Sequence, residues 1–446
     1  MMNRDAAYLM LDRILSWAGN YDMQVLIRGV ENGLTRFADS EIHQNIFQED
    51  LEVTIELRKG KKRSEVTTNK LAEEELKSAI REAQTELKQS SERELELPMI
   101  AAPEEISSSE FDEKLTDELS SFGRAEKIKN GVEDIPGGFS GAGSLALERG
   151  YLALGNTEGI RRYARQDSGK FNTVISSQEG DGSGYAELES ETLQDFDIEK
   201  GFARAIEKAE NSTDPESLSP GEYTVILEPL AVAELLGYLA YIGFSGRSVQ
   251  QGRSFLTGKI GEKVWGDNIS IYDDCQHEKT ITLPFDMEGA ERQNLTIIKE
   301  GVARDLTYDL ESAMEAGVET TGHALGSSRV GSIPLHLVMS EGESSPEEMI
   351  SKTEKGLVIT RFHYTNVVNP RQAILTGLTR DGTFLIEEGE ITTSVKDLRY
   401  TQDMMEALNN VISLSSQRFK VPGLAGNYYL PYLKIADFKF TGVTEE

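Results

Sequence analysis

Cysteine is almost missing from this chain: Cys275 is the single one in 446 residues, which excludes an internal disulfide and fits a reducing compartment. Long apolar runs are missing as well. No stretch reaches the ~18 apolar residues that a membrane-crossing helix needs. Within Met1–Asn20, the charges of Arg4, Asp5, Asp12 and Arg13 interrupt what would be the apolar core of a signal peptide. These lacks predict a cytoplasmic protein with no membrane partner. Positive charge is scarce too: 46 Lys plus Arg stand against 76 Asp plus Glu, for a formal net charge of −30. The bulk surface therefore repels phosphate backbones, and direct nucleic-acid binding is not expected.

What is present suffices for two substantial cores, since 38% of the residues are hydrophobic. The pattern predicts an α+β protein. Its N-terminal domain, 1–215, reads as an antiparallel sheet with flanking helices. Leu51, Val53, Ile55 and Leu57 alternate with polar neighbours, so that strand has one buried and one wet face. Charged amphipathic helices are expected over 71–88 and about 198–210, with a Glu- and Ser-rich tract of short helices and exposed loop over 90–135. Gly137–Gly143 resembles a phosphate loop only superficially, lacking the Gly-Lys-Ser/Thr ending, and reads as a flexible turn. The segment 211–221, rich in Ser and Pro, marks the domain boundary. The C-terminal domain, 222–446, is expected to be mostly β, a large curved sheet or barrel-like sandwich with a few helices, one of them over 404–414.

The most telling segment follows the strand 222–227. Pro229 suits the first turn of a helix, and Leu230, Ala233, Leu236, Gly237 and Ala240 recur at helical steps before Gly243 and Gly246 end the run. This strand–helix–glycine unit resembles the core of the TldD/PmbA (TldE) family of zinc-dependent proteases or modulators of DNA gyrase. The resemblance extends to Arg36–Asn45, the segments Phe285–Gly289 and Thr320–Ala324, and Gly377–Ile391. Catalytic members of the TldD type carry His-Glu-x-x-x-His on this helix and a distant cysteine, a set that holds Zn²⁺ with one position open while the glutamate takes a proton from bound water. The corresponding stretch here, Gly237-Tyr238-Leu239-Ala240-Tyr241-Ile242, offers no His, Glu or Cys, and no cysteine follows Asn427. By resemblance, the chain belongs with the TldE/PmbA type, with no catalytic or metal-binding residues of its own and zinc in a TldD-type partner.

Other reactive side chains are each weighed against a plain structural role. Cys275 and His277, in Asp273-Asp274-Cys275-Gln276-His277-Glu278, would make a metal pair or a nucleophile with its base, but further ligands are not identifiable and a polar loop is the simpler reading. The basic run Arg58–Arg63 lacks interleaved aromatics and reads as a solvated hairpin turn. Arg361, Arg371, Arg380 and Arg399 either hold peptide carboxylates or pair with the abundant acids of the surface. His323, Arg361, His363, Tyr364 and Arg380 are the candidates for contact with a peptide or a partner. The expected function is a non-catalytic subunit of a TldD/TldE-type metalloprotease acting on unfolded or flexible peptides, paired with a TldD-like chain or with a second copy of itself. Alternatives are a non-proteolytic protein modulating DNA gyrase or another regulator, and a self-sufficient peptidase with an unrecognised site.

Overall fold

A computed structural model describes residues 2–101, 105–110, 112–280, 283–326 and 331–443. Residues 102–104 and 111 of the Glu- and Ser-rich tract lie outside the described residues. The chain is α+β, and its strands form two sheets.

The first sheet has seven strands: β1 (Asp22–Ala38), β2 (Glu41–Lys59), β3 (Lys62–Thr68), β4 (Ile106–Glu110), β5 (Phe139–Asn156), β6 (Arg161–Ser177) and β7 (Ser183–Ser190). Their order is β3-β2-β1-β5-β6-β4, with β7 also on β6. The long strands β1, β2, β5 and β6 pair antiparallel with almost unbroken register. The alternation read at 51–57 extends through β1, whose odd-numbered residues from Met23 to Phe37 are buried while most even-numbered ones are partly open. That odd face is roofed by α1 (Arg4–Leu15) and α2 (Glu73–Gln89) at one end. At the other end it is covered by α3 (Glu113–Glu118), α4 (Ser121–Glu133) and α5 (Ile198–Asn211). The expected flexible turn at 137–143 is corrected: β5 already begins at Phe139. Gly143 is there because a Cβ would stand 2.1 Å from the Asn172 carbonyl.

The second sheet has eleven strands. They are β8 (Gly221–Leu227), β9 (Ile271–Asp273), β10 (Leu295–Lys299), β11 (Val302–Ala303), β12 (Leu337–Met339), β13 (Lys355–Asn369), β14 (Ile374–Glu387), β15 (Glu390–Ser394), β16 (Leu398–Asp403), β17 (Val411–Pro422) and β18 (Asn427–Val443). Because β18 pairs with β8 as well as with β16, the strands β18-β16-β14-β13-β8 close into a ring. Helix α6 (Pro229–Gly243) leaves this ring directly after β8, and the largest apolar core, from Val225 through Trp265 to Phe440, forms around it. The helix expected over 404–414 ends at Asn409, since Val411 already pairs with Ile435 in β17.

α5, on the helix layer of the first sheet, reaches the start of α6. Its Lys208 donates to Glu228 Oε1 at 2.7 Å and to Thr360 Oγ1 at 2.8 Å, while Arg204 donates to Glu228 Oε2 at 2.6 Å. Burial alone would raise the Glu228 pKa, but the two cations hold it below the usual carboxylate value. A buried ion triad of this kind fixes geometry more than it adds stability.

Candidate functional site

The even face of the first sheet carries no helices. Instead it looks across a cleft at loops of the C-terminal half. Three cavities of about 490, 880 and 230 Å³ adjoin along it. The first two share Leu26, Thr54, Met287 and Leu325 as walls, and the second and third share Gly423. The sheet face of the cleft mixes charged and polar side chains, Arg28, Glu52, Glu148, Gln166 and Lys170, with the apolar Leu26, Val30, Leu152 and Ala164. Contact across it is made at one end, where Gln24 donates to the Met287 carbonyl and Arg162 to the Gly289 carbonyl.

At the other end the cleft reaches α6. Leu230, Ala233, Glu234 and Tyr238 recur at helical steps on the face that lines the smallest cavity, opposite Tyr185 and Glu187 of β7. Burial raises the pKa of Glu234, against the opposing pull of Thr365 and the charge of Arg361. Burial raises Glu187 likewise, although its carboxylate accepts from the Tyr185 hydroxyl at 2.9 Å. The Arg361 guanidinium lies 4.1 Å from the centre of the Tyr185 ring and donates to Asp381 at 2.7 Å. Two carboxylates with raised pKa, one guanidinium and two phenols thus converge on this end, a set suited to hydrogen bonding with peptide groups.

The zinc frame can now be tested against the helix. α6 contains one glutamate, Glu234, and in a His-Glu-x-x-x-His frame it places Ala233 and Tyr238 at the two histidine positions. The stretch 237–242 that sequence reading matched to that frame lies about one turn too late: Leu239, Ala240 and Ile242 are buried in the core. What sequence reading missed was Glu234, and its signal was the spacing 230-233-234-238 on one face. A methyl group and a phenol cannot replace two imidazoles as ligands. Among the described residues no group of three or more His, Cys, Asp or Glu side chains could hold a metal ion, so this donor set does not fit zinc.

The remaining candidates fall in separate neighbourhoods. His323 is fully buried, with Nε2 at 2.9 Å from Asp273 Oδ2 and Nδ1 at 2.9 Å from Thr321 Oγ1. His336 reaches the other Asp273 oxygen at 3.2 Å, and the backbone N–H groups of Leu335 and His336 donate to the same carboxylate. Despite full burial, which opposes it, the hydrogen bonds from the two histidines hold Asp273 well below the usual carboxylate range. This clasp ties the end of β9 to the loops that carry His323 and His336. Cys275 beside it is buried, and burial followed by the Asp273 charge pushes its thiol up to about 11, which disfavours the thiolate a nucleophile or metal ligand needs. His277 stacks near Tyr429 and accepts from the Lys279 N–H. Arg58 is no solvated turn residue: it is buried and donates to Glu56 and to the Pro98 carbonyl. His363, Tyr364 and Arg380 gather in a further cavity, on the far side of the Arg361–Asp381 ion pair from the cleft.

Comparison with known proteins agrees with this architecture. The family model described as the PmbA/TldA metallopeptidase C-terminal domain matches residues 220–442, half of the chain. An uncharacterised protein of Methanocaldococcus jannaschii is 32% identical over 185 residues, covering 41% of this chain and 43% of that protein. The metalloprotease PmbA of Escherichia coli is 25% identical over 300 residues, 66% of this chain and 64% of that protein. The matches thus span from under half to under two thirds of these relatives. The crystal structure of TldE from Thermococcus kodakarensis superposes with a TM-score of 0.86 at 21% identity, over 98% of this chain and 100% of that one. With the ring of strands, its central helix and these matches in agreement, the chain belongs to the PmbA/TldD family.

Proposed function

We propose that this chain is a TldE/PmbA-type subunit without catalytic power of its own, which pairs with a TldD-type zinc peptidase and helps hold unfolded or flexible peptides for cleavage. One observation carries the reading. The helix face that lines the cleft keeps Glu234 but has Ala233 and Tyr238 where a zinc site requires imidazoles. The partner supplies metal, water and general base. This chain supplies a wall of the chamber. A long cleft with mixed polar and apolar walls suits an extended peptide, whose main-chain N–H and C=O groups find acceptors and donors while its side chains meet apolar surface. Assembly with a second copy of itself is the simplest substitute when the partner is absent.

The test is reconstitution. This chain, a relative bearing His-Glu-x-x-x-His, and their mixture are assayed on an unstructured peptide. The reading expects no cleavage by this chain and a faster or differently directed cleavage by the mixture than by the relative alone. Identical cleavage with and without this chain, in a mixture that does not co-elute, removes the subunit role.

A further inference from the structure

The cavity that gathers His363, Tyr364 and Arg380 has a volume of about 550 Å³, within the range of small-ligand sites. It lies between the start of β7, the segment 378–383 of β14 and residues 395–397. Its charges are unevenly spent. Asp381 is engaged by Arg361 and by the Ser183 hydroxyl, the latter at 2.8 Å. Lys396 is held only loosely, 4.0 Å from Asp181. The charge of Arg380 acts through space on Asp397 and His363. Two cations thus line one small space, one of them only loosely paired.

At the mouth, Tyr364 is 71% exposed and held at a φ of 52° where the register between β13 and β14 slips. Its ring lies 4.2 Å from that of His363. A non-glycine residue kept in the left-handed region is sustained only by its surroundings and marks a place where function is worth seeking.

From this we infer that the cavity is a second binding site, distinct from the cleft, that takes the α-carboxylate of a short peptide or an amino acid on Arg380 and Lys396, with its side chain against His363 and Tyr364. A guanidinium is the side chain best shaped to grip a carboxylate by paired hydrogen bonds. The carboxylates of Asp181 and Asp397 on the same wall limit the negative charge the site tolerates, favouring a monoanion over phosphate, and provide for an ammonium group. The expectation that the carboxylate comes from a peptide, and not from another acid, rests on the peptide reading of the cleft.

Calorimetric titration of the full chain with triglycine, triglycine amide, glycine and inorganic phosphate tests the site. Triglycine should bind on the order of ten-fold more tightly than its amide, the loss expected when a charge-assisted hydrogen bond to a carboxylate is removed. Arg380→Gln should weaken triglycine by a similar factor and no longer distinguish acid from amide, and Lys396→Gln should give a smaller loss of the same kind. Glycine binding as well as triglycine would make single amino acids the source of the carboxylate. Equal binding of acid and amide, full affinity in both variants, or phosphate bound more tightly than triglycine overturns the site. Tyr238→Ala, in the cleft, should leave triglycine binding unchanged while weakening capture of a long unstructured peptide. A chain that binds triglycine but captures no long peptide in any form would retain this site and discard the cleft reading.

Discussion

The two faces of the first sheet are made from alternate residues of the same strands, yet they are built for different ends. The odd face holds Val25, Ile27, Ile55 and Tyr151, buried under α1 and α2, and Phe171, buried under α3, α4 and α5. The even face holds Arg28, Glu52, Glu148 and Lys170, which border an open cleft. Period-two alternation in an antiparallel sheet usually separates core from bulk water. Here the second face is enclosed by the C-terminal half without being filled, and it carries charged side chains among apolar ones.

Breaking the closed side should cost most. Lys208→Met leaves the buried Glu228 with Arg204 alone, and a loss of about 3 kcal/mol in unfolding free energy is expected, at the lower end for a buried pair missing one member. Ile27→Ala removes a fully buried side chain from beneath α1 and α2. It should cost about 2–5 kcal/mol. Denaturant midpoints measure both. On the cleft side, Arg28→Ala should change stability by less than about 0.5 kcal/mol, as exposed positions do, and register instead in peptide capture. A cost for Arg28→Ala equal to that for Ile27→Ala would erase the distinction between the faces.

A pH experiment probes the end of the cleft near Met287 and Gly289. Burial, and after it the charge of Asp286, pushes Glu288 up to about 8, while its carboxylate accepts from the Leu310 N–H. Asp309 adds to this and Arg58 opposes it. Since the folded chain holds this proton more tightly than the unfolded one, the contribution is intact below the unfolded value of about 4.5, declines as pH rises towards about 8, and is constant above it. Glu288→Gln keeps an acceptor for Leu310 and should flatten that part of the profile, read from urea midpoints at about pH 6 and about pH 8. Parallel profiles for the two proteins would place the proton elsewhere.

Much of the scaffold was legible from local pattern. Alternation at 51–57 identified the two-faced strand, and Pro229 with the apolar spacing of 230–240 located α6. Other features depend on long-range register that no window of sequence carries. Arg361 and Arg380 are cross-strand partners, yet one turns to the cleft and the other to the second cavity. The open cleft itself was hidden, because polar even-numbered residues look the same whether they face bulk water or an enclosed space. The glycines of 137–143 suggested a turn, whereas Gly143 answers a close backbone approach inside β5. Glu234 escaped notice because sequence reading looked for ligands in the stretch 237–242, about one turn along α6 from the face that lines the cleft.

On the proposed reading, the cleft-lining face of α6, with Ala233, Glu234 and Tyr238, does not bind and activate zinc within this chain alone. Metal analysis after exhaustive dialysis against zinc-containing and then zinc-free buffer, with peptide hydrolysis assayed on the same sample, tests it most directly. The account predicts zinc far below stoichiometric and no hydrolysis by the isolated chain. Stoichiometric retained zinc, with hydrolysis by the chain alone that a chelator abolishes, would contradict it.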